Sequence, residues 1–174
     1  APMNGVKPPP AVWRLGSGPK LKQMHADAVT RVADQTVEGH LLEAIRKNKT
    51  LTATASQAGA RVHNLPEKPG MVDDDGQFRY VVLGPSAASE SGKPSAEARR
   101  FIEETTAADR PRTERNAIVL AVPSREGVYI ARTAVRDYLG WLAVDDALKK
   151  EGHELDLVRQ QNLDAYTNAA LKRI

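Results

Sequence analysis

Cysteine is absent from the 174 residues, and that absence removes disulfides, thiolate catalysis and cysteine-containing zinc sites together. Cytoplasmic residence is its simplest reading. Aromatic side chains make up only 5%, so a core has to be assembled from Val, Leu, Ile and Ala, and neither an aromatic cage nor a stacking platform is expected. Long apolar runs are missing too. The opening APMNGVKPPPAVWRLGSG lacks the apolar segment of a signal peptide, and no later stretch has the length that spans a bilayer. The expectation is a soluble chain with no membrane partner.

Hydrophobic residues at 41% and charged residues at 27% describe a globular chain long enough for one ordinary domain and too short for two large ones. The net charge is +3, unevenly placed: residues 1–60 carry eight Lys/Arg against four Asp/Glu. A basic N-terminal third suits phosphate or an acidic protein, and equally an ordinary solvated surface.

Residues 1–18, with Pro8-Pro9-Pro10, Gly16 and Gly18, read as a Pro/Gly-rich linker in which Val12, Trp13 and Leu15 form the part able to dock. Residues 19–151 read as an α/β domain opened by a helical pair. The first helix starts at Pro19 with Leu21, Met24, Ala28 and Val32 on one face; the second is capped by Asp34, carries Val37, Leu41, Leu42 and Ile45, and ends at Asn48. Strands are expected at 60–66 and 77–85, a helix at 95–105, and a strand buried on both faces at 116–122. A helix from Ser124 to Trp141 follows, then two more at about 143–151 and 154–174. The segment 152–174 is taken as a C-terminal helix that continues into a longer polypeptide. The fold class is therefore α/β, a small parallel or mixed sheet with flanking helices, preceded by the helical pair and followed by C-terminal helices.

The stretch LGPSAASESGKPSAEARRFIEE, Leu83–Glu104, imitates a nucleotide-triphosphate loop. Such a loop needs glycines so that backbone amides wrap the phosphates, and a final hydroxyl for magnesium. Here Ala87 stands at the first glycine position and Pro94 at the hydroxyl position, so a surface loop ending in a Ser95 helix cap is expected instead. His25, His40, His63 and His153 show no zinc spacing, and DDDGQ places Met71 and Val82 where a calcium loop needs ligands. No metal site and no catalytic residue are assigned.

Three groupings remain as candidate contacts. Arg110, Arg112 and Arg115 crowd a loop before the third strand, where guanidinium groups suit bidentate phosphate or carboxylate contacts, or solvated ion pairs. Arg125, Arg132 and Arg136 line one helical face with Tyr129, opposite Val128, Ala131, Val135 and Leu142; the face suits a nucleic-acid backbone, or is a plain polar face. Gly84, Ser124 and Arg125 meet at the carboxyl edge of the sheet, where the first amides of a helix can take an anion or be satisfied by Ser124 itself. On the residues alone, a free-standing α/β enzyme binding a phosphorylated small molecule or nucleotide at that edge stays open.

Several separated segments resemble a known family: RVHNLP (61–66), ASESGKPSAEARRFIEETT (88–106), DRPRTERNAIVLAVPSREG (109–127) and ARTAVRDYLGW (131–141), preceded by PPAVWRLGSGPKLKQ (9–23). They resemble the later portion of large prokaryotic AAA-type P-loop ATPases, catalogued as a domain of unknown function and associated with DNA methyltransferases and helicases in anti-phage defence islands. The resemblance implies a nucleotide loop upstream of residue 1, with ATP and magnesium belonging to the parent protein and no cofactor in this part. It also implies the rest of that ATPase as partner, with DNA and homo-oligomerisation entering through the parent. The expected role is a non-catalytic accessory or coupling domain.

Overall fold

The computed structural model describes residues 17–105, 110–150 and 157–173. Most of the expected linker lies outside these residues, but Ser17 and Gly18 already belong to the first helix, α1 (Ser17–Arg31). α2 (Asp34–Lys47) buries Val37 and Leu41, four residues apart on one face. Asp34 is not its cap: Ala33 holds that position without a side-chain hydrogen bond. Asn48 ends α2 as expected, and its Oδ1 accepts the Thr50 amide at 3.0 Å to start a third helix, α3 (Thr50–Gln57). The expected helical pair is thus a trio.

Three short strands follow, β1 (Arg61–Asn64), β2 (Arg79–Val82) and β3 (Ile118–Ala121), with α4 (Ala96–Glu103) between the last two. They form a parallel sheet in the order β1-β2-β3, in register from Arg61, Arg79 and Ile118 to Asn64, Val82 and Ala121. Alternation puts Val81 and Ile118 on one face, where Val72, Leu83, Ala87, Ala98 and Phe101 complete a core under α4. Fully burying Phe101 contributes roughly 1.5–3 kcal/mol. α3 packs against β1 and β2.

β3 departs from expectation. Its apolar run suggested burial on both faces, yet it is an edge strand, with Val119 42% exposed, and the buried centre is β2. The sequence run is common to both situations, and only the strand order separates them.

α5 (Arg125–Lys150) is one helix where two were expected. The buried Trp141 and Val144 keep one helical face packed across the expected break, and pairs of Asp145 with Lys149 at 2.7 Å and Asp146 with Lys150 at 3.0 Å brace the last turns beyond it. Val128 and Val135 are buried and Ala131 partly so, but Leu142 is exposed, because by that point the helix has turned its packed side toward α1 and α6 (Leu157–Leu171). There Leu21, Trp141, Val144, Leu148, Leu163 and Ala170 form a second core. Trp141 is stacked between His25, centroid distance 4.0 Å, and Tyr166, 4.8 Å. Gly140 lets α1 approach: a Cβ there would stand 2.6 Å from Val29 Cγ2 and 3.0 Å from the His25 ring. Among the described residues no helix is long and apolar enough to cross a membrane.

Candidate functional site

At the carboxyl edge of the sheet the chain after β2 closes against the chain after β3. The Leu83 amide donates to Ala121 O at 2.9 Å, the Ser89 amide to Pro123 O at 2.9 Å, and the Arg125 amide to Ser89 O at 2.9 Å. Ser124 Oγ accepts the Gly127 amide at 3.0 Å, so the serine caps α5. Arg125 pairs with Glu90 at 2.7 Å, both side chains largely in solvent. Gly84 belongs elsewhere: a Cβ on it would stand 3.3 Å from Leu42 Cδ2 and Leu65 Cδ2, which makes it a close-packing glycine against apolar side chains. The expected convergence of Gly84, Ser124 and Arg125 on one anion therefore reduces to a helix cap with a neighbouring ion pair.

The stretch resembling a nucleotide loop is a hairpin turn. Glu90 and Lys93 exchange backbone hydrogen bonds at 3.2 and 2.9 Å, and the two residues between them, Ser91 (φ 51°) and Gly92 (φ 73°), are both left-handed, as a two-residue type I′ turn requires. Ser95 Oγ then accepts the Ala98 amide at 3.1 Å and donates to Ala87 O at 2.9 Å, fixing the start of α4. Glu97 occupies the first turn and accepts from Ser86 Oγ at 3.1 Å. A shallow cleft of about 440 Å³ beside this turn is lined by Glu90, Lys93, Ser95 and Arg99.

The loop arginines part company. Arg110 is exposed and Arg115 donates from Nε to Arg112 O at 3.2 Å. Arg112, expected on the surface, is 3% exposed. Its Nε donates to Phe101 O at 3.2 Å, Nη1 to Asp73 O at 3.1 Å, and Nη2 to Val72 O at 3.0 Å and Glu104 O at 3.2 Å, with Pro69 O at 3.5 Å. Burial lowers its pKa while the Asp74 carboxylate, 3.9 Å away, opposes that. The guanidinium stays charged because its ordinary pKa is so high. This side chain is a clasp on the backbone.

Nor is the stripe on α5 a free basic face. Arg132 pairs with Glu38 and Arg136 with Asp34, tying α5 to α2. The Glu38 hydrogen bond raises the Arg132 pKa. Tyr129, on the same face, is exposed.

Sequence reasoning missed the grouping at the amino end of the sheet. Arg79, buried at the start of β2, donates from Nη2 to Asp75 at 2.7 Å and from Nη1 to His63 Nε2 at 3.1 Å, with Asp73 at 3.5 Å; its buried Nε has no partner. Arginine only donates, so His63 accepts at Nε2 and carries its proton on Nδ1. Burial, then Arg79, lowers the His63 pKa. Asp74 accepts the Thr113 amide at 2.7 Å, its hydroxyl at 2.8 Å and the Glu114 amide at 2.9 Å, the first holding its carboxyl below the usual range; Arg79 does the same for Asp75. The acidic run thus anchors loops. An arginine inside an otherwise apolar strand, RYVV, was the available signal. Among the described residues no three His, Asp or Glu side chains could together hold a metal ion.

What these contacts define is a three-stranded parallel α/β layer joined by one long helix to a small helical core, with most of its candidate cations committed to internal partners. Comparison with protein-family models, with curated proteins and with solved structures finds no match.

Proposed function

We propose that this chain is a non-catalytic accessory or coupling domain of a larger DNA-defence-associated ATPase, acting through protein or nucleic-acid contacts. The observation that carries the proposal is α5, a continuous 26-residue helix. It begins at the carboxyl edge of the sheet, is tied to α2 by Arg132 and Arg136, and ends inside the aromatic core with α1 and α6. At 1.5 Å per residue it spans roughly 39 Å, so a displacement at one end is delivered to the other through a single rigid element. The described parts of the segments that carry the family resemblance fall on the start of α1, β1, the hairpin with α4, the Arg112 loop with β3, and α5 as far as Trp141. They trace the framework of that transmission. The reading as an enzyme acting on a phosphorylated ligand draws on the same edge, where Glu90 already occupies Arg125.

The test uses the polypeptide encoded by the complete native reading frame. ATP hydrolysis is measured with and without DNA, before and after deletion of residues 17–173. The expected result is hydrolysis that persists after the deletion but no longer responds to DNA. Unchanged stimulation, or magnesium-dependent ATP binding by the isolated chain that is lost in Lys93→Ala, overturns the reading.

A further inference from the structure

β3 leaves one edge of the sheet open. The Leu83 amide donates to Ala121 O at 2.9 Å, so Ala121 and, two residues back, Val119 turn their main-chain groups toward β2. The alternate residues, Ile118 and Leu120, turn theirs outward, and among the described residues neither their amides nor their carbonyls meet a partner. Such an edge is a template for another strand unless charge, proline or a bulge blunts it. β1, the opposite edge, is blunted: RVHN carries Arg61 and His63, and Asn64 donates its side-chain amide to Arg46 O at 3.3 Å. From Asn116 to Val122 the β3 edge has no charge and no proline, and Pro123 comes only after it.

We propose that this edge pairs with the same edge of a second copy, antiparallel about a twofold axis at Val119, joining the two sheets into one. Self-complementarity carries the choice of occupant. Outward residues must oppose one another in such a ladder, which sets Ile118 against Leu120 of the second copy, each pair exchanging both of its main-chain hydrogen bonds. Val119 then stands opposite Val119, and Ala117 opposite Ala121: AIVLA matches its own reverse in size, position by position. A foreign strand would have no need of that symmetry. The side chains are already sorted for it. Ile118, buried, and Leu120, half-buried, pack in the core under α4, while Val119 points the other way and is exposed. In an antiparallel ladder the opposed residues that exchange no hydrogen bonds bring their side chains closest, so the exposed valine covers its equivalent. Charges at the two ends do not oppose the pairing. Glu114 and Arg115 flank one end, Glu90, Arg125 and Glu126 the other, and each group holds both signs.

Four residues a side make a small contact, below what an independently stable dimer buries. Association is therefore weak in the isolated chain and strengthens wherever copies are held side by side. The pairing concerns this chain alone and stands or falls separately from the ATPase reading.

Sedimentation and NMR of the full chain from micromolar to millimolar concentration provide the test. A monomer–dimer equilibrium is expected and, in a mixture of isotope-labelled and unlabelled copies, a filtered cross-relaxation signal between the Val119 Hα atoms of different copies. Val119→Lys sets two ammonium groups against each other at an exposed position and should raise the dimer Kd about tenfold or more, whereas Val119→Thr, uncharged and β-branched, should keep the dimer. A chain that stays monomeric to millimolar concentration overturns the proposal, as does a dimer indifferent to Val119→Lys. So do Ile118 and Leu120 amides equally protected from exchange at every concentration, since a segment of the same chain would then hold the edge.

Discussion

The two cores of this protein solve the same problem with different materials. Under α4 the sheet core is aliphatic apart from Phe101, and its loops are held by charged side chains turned inward: Arg112 on backbone carbonyls, Arg79 on Asp75 and His63. In the α1–α5–α6 core the polar tie is lighter: His25 Nε2 stands 2.9 Å from Asp137 O and 3.1 Å from its carboxylate, which also meets Arg173 at 3.4 Å. That core relies on the stacked rings of His25, Trp141 and Tyr166 and on the close helix approach at Gly140. Helices satisfy most of their own backbone, so packing carries most of that core. Four-residue strands joined by long loops leave carbonyls that must find donors, and a buried guanidinium supplies them.

The sharpest way to break this comparison is Trp141→Ala, expected to cost about 3–5 kcal/mol. Because α5 is shared, chemical denaturation should remain a single transition. Amide exchange that stays slow at Val81–Leu83 while α1 and α6 open would show two separable cores. Next comes Arg112→Ala, at about 3 kcal/mol, since several buried carbonyls lose their donor. Arg112→Lys should recover little, one ammonium being unable to reach acceptors spread from Pro69 to Glu104; denaturant midpoints of the two variants decide this, and full recovery in Lys would reduce Arg112 to a simple charge. Gly140→Ala should cost about 2 kcal/mol by forcing α1 from α5, read as a lowered melting temperature. A neutral result would mean that Val29 and His25 move aside freely.

The smallest effect is expected in acid, and on the sheet side. The folded pKa of His63 is depressed, so its contribution is present above the ordinary value of 6.5 and lost as pH falls through the folded value. Asp74 and Asp75 are likewise depressed, and theirs is lost below 3.8 as pH falls through their folded values. Melting temperature against pH should show the first step in wild type and lose it in His63→Gln. If the step survives, the proton uptake lies elsewhere.

Apolar runs and turn residues made the three strands, the Ser95 and Ser124 caps and the helical ends legible, because those signals are local. α3 was not, since TLTATASQ has almost no apolar periodicity and forms by docking on β1 and β2. The edge position of β3 depends on strand order, which no single run encodes. At the candidate sites the sequence located the arginines but not their partners: the acceptors of Arg112 lie up to 43 residues away and are main-chain atoms, while Arg132 and Arg136 meet carboxylates 94 and 102 residues distant.

The Arg112 clasp also has a place in time. Its acceptors at Pro69 and Val72 lie 43 and 40 residues before it, while Phe101 and Glu104 lie within 11, so the clasp joins a distant segment to a local one. The distant half is expected to close late, after the local contacts have reduced the loop-closure entropy it must overcome. Removing the guanidinium should therefore leave the refolding limb of a chevron nearly untouched and steepen escape from the native state, making Arg112 a determinant of how long the domain stays folded more than of how fast it gets there.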